Sequence, residues 1–302
     1  MKIAILGPGS MGLLYGAKLS VYSDVILVGN NEENINLINK NGITVKRDGE
    51  RHYTVPTITG GTYKEKVDLI IIFTKAYVTR EALEVNKNLI GEDTVVMTLQ
   101  NGAGHEDVLR EYVDESRIII GTTTIGSYRE NPYTVVNTGL GDTTIGPVCD
   151  DKWLENKLKE IAEIFEDSGF PCVVTKDIKQ TIWNKLMINA SSSVLSGIMG
   201  QPQGAVVEND SAWELCCDLI KEMCETANAI GCKFDYEQQK DRMYKHLNAA
   251  PDGMTSICVD LKNKRKTEVD YINGAVVRAA QKIGKRVCTH ETIVKIVHMM
   301  EG

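Results

Sequence analysis

At 302 residues the chain is too long for one compact core of ordinary size, so two domains are expected. Hydrophobic residues make up 42% and charged residues 25%, the balance of a soluble globular protein. Asp and Glu (41) outnumber Lys and Arg (34) for a net charge of -7, and no concentrated basic face is visible, which disfavours a nucleic-acid partner.

Short apolar runs recur through the first half at residues 2–6, 25–28, 67–73, 94–98 and 117–123. Helical stretches at 10–20, 32–41, 79–89 and 105–113 separate most of them. Strands alternating with helices predict βαβ units around a parallel sheet. Residues 43–45 and 52–55 flank Asp48-Gly49, which predicts a hairpin outside the main sheet. Residues 135–137 and 143–145 flank a second glycine-bearing turn at 139–141. After Trp153 only residues 172–175 read as a strand, and long periodic stretches cover 152–167, 178–197, 212–230 and 256–283. The boundary is expected near Thr175, giving an α/β domain over 1–175 and a helical domain over 176–302.

The first apolar run leads straight into Gly7-Pro8-Gly9-Ser10-Met11-Gly12. In a GxGxxG between strand and helix, the first glycine makes the tight turn and the second lets backbone approach a pyrophosphate. The third lets helix pack on strand. The helix N-terminus then offers unpaired N–H groups and a positive dipole end to phosphates. The first domain is therefore expected to be a Rossmann domain that binds a dinucleotide. The cofactor's 2′ position is usually read about 20 residues further on, by Asp or Glu for a hydroxyl and by Arg for a phosphate. Here the second strand ends Val28-Gly29-Asn30-Asn31-Glu32, with neither signal at Asn30. Glu32 also suits the start of the next helix. Lys75, just past the run 67–73, can reach a phosphate or stand as a solvated loop lysine.

In the helical half, Lys185, Asn189 and Ser193 fall at i, i+4 and i+8, on one side of a helix, beside an apolar row of Ile182, Leu186, Ala190 and Val194. A partly desolvated lysine has a lowered pKa and suits a general acid near neutral pH. The bland reading is an amphipathic helix with Lys185 at its wet edge. Periodicity alone puts Glu268 at the surface, and Ser256 lies twelve residues before it, about a third of a turn out of phase. The five histidines are scattered without a ligand pattern, so no metal is expected. The eight cysteines form no CxxC pair and read as reduced thiols in a cytosolic chain, most of them core fillers. Residues 3–6 are cut short by Gly7 before they could form a signal-peptide core, and no apolar run approaches a membrane span. A cytoplasmic protein without a membrane partner is expected.

Taken in order, these pieces resemble the ketopantoate reductase (2-dehydropantoate 2-reductase) family over nearly the whole chain. The resemblance rests on Gly7-x-Gly9-x-x-Gly12, Leu99-Gln100-Asn101-Gly102, Gly121-Thr122-Thr123-Thr124, Trp183-Asn184-Lys185-Leu186 with Asn189, and Thr267-Glu268-Val269-Asp270-Tyr271-Ile272-Asn273-Gly274. It implies a Rossmann domain followed by an all-α domain of the 6-phosphogluconate dehydrogenase C-terminal-like type. It also implies NADPH-dependent reduction of 2-dehydropantoate to pantoate, toward pantothenate and coenzyme A. By resemblance Lys185 is the general acid, and Glu268 contacts that machinery and the cofactor ribose. Asn101 would touch nicotinamide ribose and substrate, Asn189 and Ser256 would bind substrate, and Lys75 would lie near the cofactor phosphate. Four positions depart from the family pattern. Asn30 stands where Arg is frequent, which makes NADH the alternative cofactor. Ile125 stands where a His is expected, Ser193 replaces a second substrate-side Asn, and Gln203 replaces a third while keeping an amide. These changes favour, as a rival, a reductase of another 2-keto acid. A nucleotide-sensing Rossmann protein without turnover is the rival from another class, disfavoured by Lys185 and Glu268. The helical domain carries enough apolar surface for a homodimer.

Overall fold

The computed structural model describes residues 1–139 and 141–301, so Leu140 in the expected turn 139–141, and Gly302, lie outside the described residues. By contact the chain forms two compact units. One comprises Met1–Gln100 with His105–Ile178, the other Asn101–Gly104 with Lys179–Gly302.

The first unit runs β1 (Lys2–Leu6), α1 (Ser10–Leu19), β2 (Asp24–Gly29), α2 (Glu32–Asn41), β3 (Ile43–Lys46), β4 (Glu50–Tyr53) and β5 (Thr57–Thr59). It continues through β6 (Leu69–Ile72), α3 (Thr79–Val85), β7 (Val95–Thr98), α4 (Glu106–Leu109), β8 (Ile118–Thr123), β9 (Ser127–Asn131) and β10 (Thr134–Asn137). It closes with β11 (Thr143–Pro147), α5 (Lys152–Asp167) and β12 (Cys172–Val174). The main sheet has the order β12-β11-β8-β7-β6-β1-β2-β5. Six of its strands, β5 through β8 in that order, are mutually parallel. The chain starts in the middle and changes sides between β1 and β6, the plan of a doubly wound dinucleotide-binding sheet. β1, β6 and β7 are buried along nearly their whole length, which is why they read as unbroken apolar runs.

The expected Asp48-Gly49 hairpin forms as β3 and β4, outside the main sheet in a four-stranded sheet ordered β4-β3-β10-β9. The strands on either side of the 139–141 turn separate: β10 joins this small sheet, while β11 pairs antiparallel with β8. Strands β5 and β9 are additions to the sequence reading. Thr-Ile-Thr and Ser-Tyr-Arg-Glu-Asn carry no apolar run, so only their sheet partners identify them. The expected helices at 79–89 and 105–113 are shorter, the first ending at Val85 before a separate 3₁₀ turn at Lys87–Leu89. At the centre of the unit Tyr15 stacks on Phe170 with ring centroids 4.1 Å apart. The Tyr15 hydroxyl bonds Thr143 Oγ1 at 2.6 Å, and burial pushes its pKa up to about 12.

The second unit is helical: α6 (Ile178–Ile188), a π-helical turn at Asn189–Ser193, α7 (Val194–Met199), α8 (Ala205–Glu208), α9 (Asp210–Ala229), α10 (Tyr236–Ala249), α11 (Ser256–Lys262), α12 (Asn273–Lys282) and α13 (Cys288–Met300). Asn209, Asp235 and Thr255 cap α9, α10 and α11 through their side chains. The periodic stretch 256–283 is not one helix. Lys264 enters the left-handed region at φ 51° and Arg265 N–H closes on the Asp260 carbonyl at 2.9 Å, a C-terminal cap that ends α11. The sequence reading did not single out α10 or α13. In α13 the inward His290, Ile293 and Val297 do carry the helical spacing, whereas α10 buries only Met243 and Leu247. No helix of the described residues is long and apolar enough to cross a membrane.

Candidate active site

The glycine loop lies where β1 ends, at the switch point of the sheet. Gly7 has φ 100°, and a Cβ there would stand 2.7 Å from Thr74 N, in the loop after β6. A Cβ on Gly12 would stand 2.0 Å from the Gly7 carbonyl, so the first turn of α1 packs directly on the loop. Around Gly9 there is nothing within 4 Å of a built Cβ. The loop thus offers open space beside the N-terminus of α1, where no side chain caps the free N–H groups. Pro8, Ser10 and Met11 complete this turn. These features fit a dinucleotide pyrophosphate.

Around the loop, Gln100 ties the strand ends together. Its amide donates to the Thr74 carbonyl at 2.7 Å and to Thr79 Oγ1 at 2.9 Å, and its oxygen accepts from Thr98 Oγ1 at 2.8 Å. Lys75 follows Thr74 in this braced loop and is half-buried. Asn30 is exposed at the end of β2. Asn31 caps α2, accepting from Asn34 N at 2.8 Å, and Glu32 and Glu33 occupy the helix's first turn. One cation near the loop escaped the sequence reading: Arg129 of β9 donates to the Pro8 carbonyl at 3.5 Å. Nothing in the spacing of the sequence marks it, because the small sheet brings it there.

In the second unit Lys185 occupies the last turn of α6. Burial pushes its pKa down to about 8, and the charge of Glu268 opposes that fall. By exposure Lys185 is half-buried on α6. Glu268 is 9% exposed, against the surface position that periodicity suggested. Its carbonyl accepts from Tyr271 N at 2.9 Å and Ile272 N at 3.0 Å in a 3₁₀ turn. Glu301 holds the preceding Thr267 by its backbone N–H at 2.7 Å and by its hydroxyl. A break in the 256–283 stretch is what allows this turn to fold inward.

The segment Asn101–Gly104 packs with this second unit. Ala103 N–H donates to the Tyr271 carbonyl at 3.1 Å. Gly102 has φ 103°, and a Cβ on it would stand 2.2 Å from that carbonyl, so only glycine fits. Asn101 is thereby brought to the turn that carries Glu268, a juxtaposition no helical spacing could show.

The expected stripe of Lys185, Asn189 and Ser193 is interrupted. A π-turn runs from Asn189 to Ser193, so these positions do not continue the regular α winding of α6. Ser193 is buried, and its carbonyl accepts from the Thr255 hydroxyl at 3.2 Å. Asn189 remains half-buried at the start of the turn, and Ser256 is exposed at the first position of α11. Gln203 N–H donates to the Gly253 carbonyl at 3.0 Å, while its side-chain Oε1 is buried without a partner among the described residues. Ile125 is buried in the core of the first unit. The eight cysteines are free thiols, four of them buried. Among the described residues no group of His, Cys, Asp and Glu is placed to hold a metal.

Comparison with known proteins shows the family of the chain. The family model described as ketopantoate reductase PanE/ApbA matches residues 3–149, and that described as its C terminal matches residues 177–301. A 2-dehydropantoate 2-reductase from Pyrococcus horikoshii is 33% identical over 283 residues, covering 93% of this chain and 91% of its own. A ternary structure of D-mandelate dehydrogenase with NADH and anilino(oxo)acetate superposes with a TM-score of 0.93 at 28% identity, covering 100% of this chain and 98% of that one. The 2-dehydropantoate 2-reductase structure from Geobacter metallireducens superposes with a TM-score of 0.91 at 26% identity, covering 99% of both chains.

Proposed function

The chain belongs to the ketopantoate reductase family and is an oxidoreductase with a nicotinamide dinucleotide cofactor, and we propose that it reduces 2-dehydropantoate to pantoate with NADPH, a step toward pantothenate and coenzyme A. What supports this reading is the half-buried Lys185 of α6, whose pKa burial lowers to about 8, together with the buried Glu268, whose charge acts against that fall. The bound cofactor supplies the hydride. As the C2 carbonyl oxygen of the keto acid gains negative charge, the Lys185 ammonium donates a proton to it and stabilises that charge. Lys185 regains its proton from solvent. Glu268 keeps the lysine charged against the cost of burial. Asn101, Asn189, Ser256, Ser193 and Gln203 are assigned to substrate, and Gln203 Oε1, buried and unpartnered among the described residues, is an acceptor for a substrate hydroxyl. Gly7, Pro8, Gly9, Ser10, Met11 and Gly12 would hold the pyrophosphate, with Lys75 and Arg129 adding positive charge. Asn30 and Glu268 would serve the riboses.

A specific observation favours a second reading, reduction of another 2-keto acid with NADH. At the end of β2 the chain offers Asn30, a capping Asn31 and two acidic residues instead of an arginine. The mandelate dehydrogenase neighbour was solved with NADH. The test is oxidation of NADPH and of NADH by the purified protein, each with 2-dehydropantoate and with the aryl keto acid that corresponds to mandelate. Fast turnover of NADPH with 2-dehydropantoate supports the proposal. Fast turnover of NADH with the aryl acid alone replaces it with the second reading. The proposal also takes the protein to be cytoplasmic and homodimeric, and light scattering on the purified protein checks the latter.

A further inference from the structure

A chain of buried polar groups runs through the apolar core of the second unit. Asn273, the first residue of α12, donates from Nδ2 to the Ala190 carbonyl at 2.7 Å. The same nitrogen lies 3.0 Å from His290 Nδ1, and His290 Nε2 lies 3.1 Å from the Leu219 carbonyl. Asn273 and His290 are both 0% exposed. The geometry fixes the protons. A carbonyl only accepts, so Nε2 carries the imidazole proton and Nδ1 accepts from the amide. Both hydrogens of the Asn273 amide are then used, and its Oδ1 is left buried without a partner among the described residues. Burial pushes the His290 pKa down to about 4, so the ring stays neutral. Glu222, the acidic group facing it from α9, accepts from the His290 and Thr289 backbone N–H groups.

An orphaned amide oxygen and a buried imidazole are costly in a core that apolar residues could fill. What they connect explains their presence. Ala190 belongs to the π-turn that follows Lys185 and contains Asn189. Asn273 follows the turn of Glu268 by five residues. His290 anchors the amide to α9 and α13.

We propose that Asn273 and His290 are positioning residues, forming an amide–imidazole brace that locks the π-turn against the Glu268 turn and so fixes the Lys185 ammonium relative to the Glu268 carboxylate. The brace rests on the reading of Lys185 as proton donor. His290 selects the orientation of the Asn273 amide, because only an acceptor at Nδ1 holds the NH₂ side toward Ala190.

The test compares Asn273→Leu, His290→Leu and His290→Gln with the wild type. Each is assayed for keto-acid reduction between about pH 6 and 10, for cofactor affinity and for Tm. Misplacement of a catalytic group by about an ångström costs on the order of 100-fold. The leucine variants are expected to lose at least about 30-fold in kcat with cofactor Kd nearly unchanged, and to move the descending pH limb upward as water reaches Lys185. His290→Gln presents an acceptor and a donor and is expected to recover most of the loss. Leucine variants with a lower Tm but unchanged kcat and pH limb would overturn the proposal, as would a glutamine variant no better than leucine. Nitrogen-15 NMR of the wild-type imidazole tests the brace without any variant. A neutral Nε2–H tautomer down to about pH 5 is expected, and a proton on Nδ1, or titration near the free value of about 6.5, overturns it. If Lys185→Ala leaves turnover intact, the proton-donor reading fails, and this tautomer measurement alone then decides the brace.

Discussion

In the first unit, the cradle proposed for the cofactor is shaped by what Gly7, Gly9 and Gly12 lack: the turn, the open face and the helix contact all depend on missing Cβ atoms. In the second unit, the roles proposed for Lys185 and Glu268 depend on long charged side chains, and burial lowers the pKa of the lysine. A backbone cradle tolerates little substitution but is indifferent to pH. A lysine proposed as proton donor functions only while it holds its proton. The two regions therefore fail in different ways, and each can be broken without the other.

The largest separation is expected from Lys185→Ala. Loss of a general acid costs about 10²–10⁴ in kcat, while cofactor affinity measured by fluorescence titration should hold. Equal loss of both would make Lys185 a structural residue and erase the contrast between the units. Next in size is acid destabilisation of the second unit through His290. Its folded pKa of about 4 lies below the free value of 6.5, so between those values the unfolded chain holds more protons and stability falls as pH falls. The full effect is about 3 kcal/mol, read as a drop in denaturant midpoint between pH 6.5 and 4. A flat midpoint over that window would mean that His290 is not buried neutral.

Gly12→Ala strikes the first unit. A Cβ 2.0 Å from the Gly7 carbonyl forces the loop and α1 apart, at about 1–3 kcal/mol, with cofactor affinity falling and the pH profile unchanged. The rate of the wild type should itself decline about tenfold per unit as pH rises beyond about 8, because the donor loses its proton. Stability moves the other way. Between about 8 and 10.5 the unfolded chain holds the lysine proton more firmly, so the fold gains as pH rises. A rate that stays level to pH 10 would assign the proton to another group. The smallest effect is expected from Asn31→Ala, which removes the cap of α2 at a cost of about 1 kcal/mol. If it also changes the preference between NADPH and NADH, Asn31 reads the 2′ position as well as capping the helix.

Much of the first unit was legible because its signals are local. Unbroken apolar runs mark strands buried on both faces, and a glycine motif between strand and helix needs no distant partner. Strands β5 and β9 were not legible, since polar residues become strands there only by pairing with a neighbour. Arg129 was hidden for the same reason. In the second unit the residue types at 185 and 268 were legible through the family resemblance, but not their environment. Periodicity put Glu268 at the surface and continued one helix through it, and the cap at Lys264 and Arg265 overruled both. The π-turn at 189–193 was not legible, because sequence spacing assumes α winding, and this turn meets partners from elsewhere in the chain, Asn273 among them.

The sequence by itself determined the alternating order of strands and helices, the glycine turn and the types of ionisable group available. Each of these depends on residues that are neighbours along the chain, where backbone sterics and the periods of strand and helix act directly. Only the tertiary structure decided that burial lowers the pKa of Lys185, that Glu268 turns inward, and that Asn101 joins the helical unit through Ala103 and Tyr271. Those properties are set by burial and by partners between 83 and 168 residues away, Glu268 lying 83 beyond Lys185 and Tyr271 lying 168 beyond Ala103, and no local pattern encodes the dielectric that a side chain meets.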